Sequence, residues 1–110
     1  MTPLASAAPK LMSEVSCTLA SAGYELAAAQ VEGGKIERCT YDGEVDAGYV
    51  YLVRPKPSAH FANLSAPVAK TIPFLEVGFN VDLDHDGNVF GVEFLDRSDF
   101  VSELRDASVL

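Results

Sequence analysis

The chain has no tryptophan, only 2 cysteines and 2 histidines, and 8 lysine or arginine residues against 16 acidic ones among its 110 residues. Each scarcity excludes something. At a formal net charge of -8 the chain repels phosphate, so a nucleic-acid partner is not expected. The same surplus favours solubility and attraction to basic proteins. Cys17 and Cys39 stand far apart with no C-x-x-C spacing, which argues against a disulfide framework and for a reducing compartment, the cytoplasm. Neither His60 nor His85 is placed beside Cys39 by a local pattern, so Cys39 reads as a small buried or edge residue rather than a nucleophile. His60 also lacks an acid or second histidine at metal-ligand spacing. No Ser-His-Asp, Cys-His or paired-carboxylate arrangement can be placed from spacing. No catalytic residue and no cofactor are therefore expected. Long apolar runs are missing as well: nothing approaches the ~18 residues of a membrane span. The N-terminus lacks a basic region and a long apolar core, although Ala5-Ser6-Ala7 resembles a cleavage site taken alone. Asn63-Leu64-Ser65 matches a glycosylation acceptor, a match without meaning unless the chain is exported.

What is present is a packable chain. Hydrophobic content of 48% and a length sufficient to bury roughly 60 to 70% of the unfolded surface predict one domain. Residues 1–8 are small and Ala-rich and are expected as a flexible lead-in to a domain over 9–110. From Pro9, a favourable first helical residue, Leu11, Met12, Val15, Leu19 and Ala22 recur at helical spacing. Gly23 then offers an αL stop, so a helix is predicted over 9–22. Its apolar face serves either the core or a docking partner. Tyr24 to Val31 is ambiguous between helix and strand; the alternation of Tyr24, Leu26 and Ala28, followed by Gly33-Gly34, predicts a strand reversing into a second one at Lys35 to Cys39.

Asp42-Gly43 reads as a turn, with Glu44 and Asp46 forming an acidic approach to a strand in which Tyr49 and Tyr51 share one side and Val50 and Leu52 the other. Apolar residues on both faces predict a central strand, or a face given to a subunit contact and hence a possible homodimer. Residues 54–67 hold three prolines and His60 and form a Pro-rich insertion that cannot be a regular central strand. Long loops of this kind are often functional, and Phe61 and Leu64 either anchor a partner or pin the loop to the body. Val68 to Ile72 resumes a short strand. Phe100, Val101 and Leu104 outline a closing helix over 98–107, with Asp99 in an acidic capping arrangement and Arg105 at its favourable end.

The centre of the chain is Leu75 to Leu95, which admits two readings. Asp82, Asp84, Asp86, Gly87 and Glu93 fill the D-x-D-x-D-G-x5-E pattern of a calcium loop, with the Asn88 carbonyl at the seventh position. Such a loop needs a helix on each side. The flanks instead alternate: Leu75, Val77, Phe79, Val81 and Leu83 form one face of a strand, and Phe90, Val92 and Phe94 keep that period. A two-residue turn at Asp86-Gly87 would pair Leu83 with Phe90, Val81 with Val92 and Phe79 with Phe94. A β-hairpin is the expectation, since a one-residue slip would destroy this match. Weak cation capture by Asp82, Asp84 and Asp86 at its tip is the alternative.

These two acidic motifs carry a resemblance. Tyr41-Asp42-Gly43-Glu44-Val45-Asp46-Ala47-Gly48-Tyr49, followed by Asp82 to Asp86, Gly87 and Gly91-Val92-Glu93-Phe94-Leu95-Asp96, resembles the small bacterial and phage family called domain of unknown function 2283. The resemblance covers about residues 36–96. Gly48 stands where the family usually has a large apolar residue, which predicts a weakened strand start or a bulge. The resemblance implies an α+β fold with a small antiparallel sheet of four to five strands, an N-terminal and a C-terminal helix, and no established catalytic residue. Some members look like antitoxin partners of small ribonuclease-type toxins. The expected function is a non-enzymatic, antitoxin-like or inhibitor-like interaction module for a basic protein, contacting it through Tyr49, Tyr51, His60, Phe61, Leu64, Glu44 and Asp46.

Overall fold

A computed structural model describes residues 1–62 and 64–110; Asn63, the acceptor of the glycosylation match, lies outside the described residues. The fold is α+β: among the described residues there are four α-helices and a five-stranded antiparallel sheet. The strands are β1 (Ile36–Asp42), β2 (Ala47–Leu52), β3 (Val68–Phe74), β4 (Phe79–Asp84) and β5 (Val89–Leu95), in spatial order β1-β2-β5-β4-β3. β3, β4 and β5 follow one another as hairpins, while the segment after β2 carries the chain to the far edge, a Greek-key connection. β2 is flanked by β1 and β5, the interior position its two-sided apolar pattern predicts. Pro73 sits within β3, an edge strand, where a missing N–H costs no ladder bond.

Helices α1 (Leu4–Ala7), α2 (Pro9–Ser21), α3 (Glu25–Glu32) and α4 (Ser98–Asp106) supply the apolar stripes that meet the sheet. Leu11, Val15 and Leu19 of α2 are fully buried. The helix ends in a Schellman motif: Gly23 is left-handed at φ 90, its N–H reaches the Ala20 carbonyl, and the Tyr24 N–H reaches the Leu19 carbonyl. Phe100 and Leu104 of α4 are fully buried, as are Phe79, Val81, Val92 and Phe94 from the sheet. Each such phenylalanine contributes about 1.5–3 kcal/mol by leaving water. The helices also lock one another: the Glu103 carboxylate of α4 accepts from the Lys10 and Leu11 N–H groups at 3.1 and 2.8 Å, filling orphan donors at the start of α2.

Three expectations need correction. Residues 1–8 are not a loose lead-in: Leu4 is fully buried, its N–H donates to the Gly34 carbonyl at 2.9 Å, and Ile36 N–H donates to Thr2. Tyr24 to Val31 is helix rather than strand. There Ala27, Ala28 and Val31 are buried on one helical face while Leu26 is 71% exposed, so the alanine-rich helix propensity prevails over a short apparent alternation. Finally, the alternation through Leu75 and Val77 does not belong to β4: those residues form a 3-10 turn that closes at Gly78 with φ 76.

Gly48 marks no bulge either, because β2 pairs with β5 in continuous register. A Cβ at Gly48 would overlap the Phe94 ring. On the other side of the sheet a Cβ at Gly91 would overlap the Tyr49 ring. Each glycine makes room for an aromatic ring from the neighbouring strand.

Candidate functional site

The β4–β5 tip carries the acidic motif, and its flanks are strands, as the period requires. The register matches expectation for Phe79 with Phe94, Asn80 with Glu93, Val81 with Val92 and Asp82 with Gly91. Nearer the tip it departs: Leu83 pairs with Val89, and a bulge sets Phe90 on the outer face of the sheet. The cause is the turn. His85, Asp86 and Gly87 form a three-residue loop, closed by Gly87 N–H to the Asp84 carbonyl at 3.1 Å and Asp84 N–H to the Asn88 carbonyl at 2.8 Å. Gly87 is left-handed at φ 84, the arrangement of a type I turn followed by an αL residue.

The three aspartates of the motif are each engaged with different protein donors. Asp84 is buried; its Oδ1 accepts from the Asp86 and Asn88 N–H groups at 2.9 Å and its Oδ2 from Arg54 at 2.9 Å. Asp82 accepts from Tyr49 and Thr71 hydroxyls, both at 2.6 Å. Asp86 accepts from the Ser58 N–H at 3.1 Å. Among the described residues no group of three or more His, Cys, Asp or Glu side chains converges as a metal site. α3 reaches the same tip through Gln30, which donates to Asn88 at 2.7 Å and accepts from the Val89 N–H at 2.8 Å.

The Pro-rich insertion is strapped across this tip. Besides the Arg54–Asp84 and Ser58–Asp86 contacts, His85 Nε2 lies 2.9 Å from the Ala66 carbonyl, which makes that nitrogen the donor. The His85 ring stacks on Phe61 at 5.3 Å. Phe61 therefore pins the strap to the body, whereas His60 and Leu64 are exposed on it.

Tyr49 and Tyr51 lie on the sheet face opposite the helices, half-buried, with ring centroids 4.4 Å apart and Phe90 edge-on to both. Arg38 lies over the Tyr51 ring and Arg54 over Phe90, so cation–π contact screens this cluster. Burial first, and then the bond to Asp82, push the Tyr49 hydroxyl far above its ordinary pKa, so it acts only as a protonated donor.

Glu44 and Asp46 are at the other end of the sheet. They belong to the β1–β2 turn, where Asp46 is left-handed at φ 50 and accepts from the Tyr41 hydroxyl at 2.6 Å. That bond raises the Tyr41 pKa. The seven candidate contact residues thus fall in three places: the turn, the open sheet face and the strap. Cys39 faces the helices from β1, paired with Val50, and burial pushes its thiol up to about 11. The histidines are at the strap and the β4–β5 tip.

Sequence parity also hid three exposed apolar side chains at the turn end, Val45, Leu75 and Val77. Their one signal was position: Gly78 and Asp42-Gly43 are turn formers next to them. No helix among the described residues is long and apolar enough to cross a membrane. No similar curated protein and no similar solved structure was found. The family described as Protein of unknown function (DUF2283) matches residues 38–98, more than half of the chain, and the chain belongs to that family.

Proposed function

We propose that the protein is a non-enzymatic interaction module, antitoxin-like or inhibitor-like, that binds a basic protein partner in the cytoplasm. The observation that carries this reading is charge placement. Of the eight cations, Lys10, Arg54 and Arg97 are paired with carboxylates of the chain, which leaves the exposed Glu25, Glu32, Glu37, Glu44, Glu76, Asp96 and Asp106 in excess over the exposed Lys35, Arg38, Lys56, Lys70 and Arg105. Such a field speeds association with a basic surface and disfavours acidic competitors. Exposed apolar side chains provide what the field cannot, area to bury in a stable contact. The free thiols of Cys17 and Cys39 fit a reducing compartment.

The reading is tested by isolating a tagged copy from native cells at low and at high salt. One basic protein in stoichiometric amount at low salt, released at high salt, is the expected result. Recovery of no stoichiometric partner at either salt would overturn it.

A further inference from the structure

Leu75 and Val77 extend the alternation of Phe79 and Val81, and by period they belong in the core. They stand in solvent instead, 73% and 40% exposed, and Val45 at the neighbouring turn is 64% exposed. These residues share one rim. The Leu95 N–H donates to the Gly78 carbonyl at 2.9 Å and the Asp96 N–H to the Asp46 carbonyl at 3.0 Å, so the two turns are joined through the end of β5. The exposed carboxylates of Glu76 and Asp96 line this rim beside Leu75 and Val77, and Glu44 stands exposed next to Val45 in the β1–β2 turn. The cation set into the rim, Arg97, is already committed: it bonds Glu14, Asp99 and the Val77 carbonyl and stacks on Phe100. A shallow groove of about 580 Å³ runs between Glu14, Leu75, Val77 and Asp96. An acidic border around exposed aliphatic side chains is complementary to one chemistry, a cationic segment with an apolar stripe.

We propose that this rim is the docking surface and that it receives a basic amphipathic helix of the partner. The helix seats its apolar stripe on Leu75, Val77 and Val45, with its lysine or arginine side chains against Glu44, Glu76 and Asp96. The proposal rests on the interaction-module reading and places its principal contact away from the Tyr49–Tyr51 face and the strap.

The probe is a synthetic helical peptide of lysine and leucine with leucines at three- and four-residue spacing, titrated into the isotopically labelled full chain and followed by NMR. A scrambled peptide of equal composition is the control. Saturable shifts concentrated at residues 44–46, 75–78 and 95–97 are expected. The L75S/V77S variant should lose at least tenfold in affinity, and E76K/D96K should lose a similar amount. Leu26→Ser, an equally exposed leucine on α3, should leave affinity unchanged. All of these positions are on the surface, and the spectrum of each variant verifies that it keeps the fold. Binding centred on Tyr49 and Tyr51, with L75S/V77S unaffected, would overturn the rim and leave the module reading standing. Absence of binding at low salt would also overturn the rim, while partner isolation from native cells decides the module reading separately.

Discussion

The Arg54 guanidinium lies 2.9 Å from the Asp84 carboxylate, and this ion pair ties the start of the Pro-rich insertion to the tip of the central hairpin. Asp84 is buried while Arg54 is partly exposed. Removing Arg54 leaves a buried carboxylate that still has two N–H donors; removing Asp84 dismantles the turn and the tether together. Asp84→Ala is therefore expected to cost about 2–3 kcal/mol, the range of hydrogen bonds to a charged group whose ion-pair partner is partly exposed. Chemical denaturation measures the loss. Hydrogen exchange should show residues 54–62 losing protection while β2 and β5 keep theirs.

Calcium titration by calorimetry is expected to give no heat at millimolar ion. Binding would require Asp82 to give up the Tyr49 and Thr71 hydroxyls and Asp84 to give up Arg54 and two N–H groups. A calcium-dependent rise in melting temperature would contradict this assignment of the carboxylates.

Gly48 and Phe94 make a third prediction. A methyl group at position 48 overlaps a ring in the fully buried core, so Gly48→Ala should destabilise by about 1–3 kcal/mol through overpacking. Pairing it with Phe94→Leu should recover part of the loss, which a double-mutant cycle detects.

Acid stability should depend on Asp99. Its hydrogen bond from Arg97, helped by Lys10 and the Phe100 N–H, holds the carboxyl well below the usual carboxylate range. A depressed folded pKa contributes stability that is fully present above the unfolded value of about 3.9 and is lost as pH falls through the folded value. Asp99→Asn should therefore flatten the acid limb of a stability–pH profile below about pH 4. Solvent and salt screen this partly exposed pair, so the difference should be larger at low ionic strength.

How far the sequence announced this structure depends on which physical signal each segment offers. β4 and β5 were legible because two strands alternate in the same parity, and four of their pairs stand as pairing predicts. α2 was legible because Pro9 and Gly23 bracket a clear helical period. Tyr24 to Val31 misled because alanine satisfies either period, and only packing of Ala27, Ala28 and Val31 decides it. The turn at the β4–β5 tip was right in place and wrong in length, since the extra residue serves Asp84, whose role as an acceptor for two turn N–H groups depends on three-dimensional contact. Leu75 and Val77 were indistinguishable from core by parity. Their exposure follows from a left-handed Gly78 that closes their 3-10 turn, so that β4 begins only after them, at Phe79. The candidate contacts had no signal tying them together, and they occupy three separate regions.

The most direct test of the account is the association rate of the protein with its isolated partner as ionic strength rises. Electrostatic steering onto an acidic surface predicts a fall of about tenfold or more between 50 and 500 mM salt, since screening shortens the Debye length below ~5 Å. A rate that is unchanged over that range would contradict it.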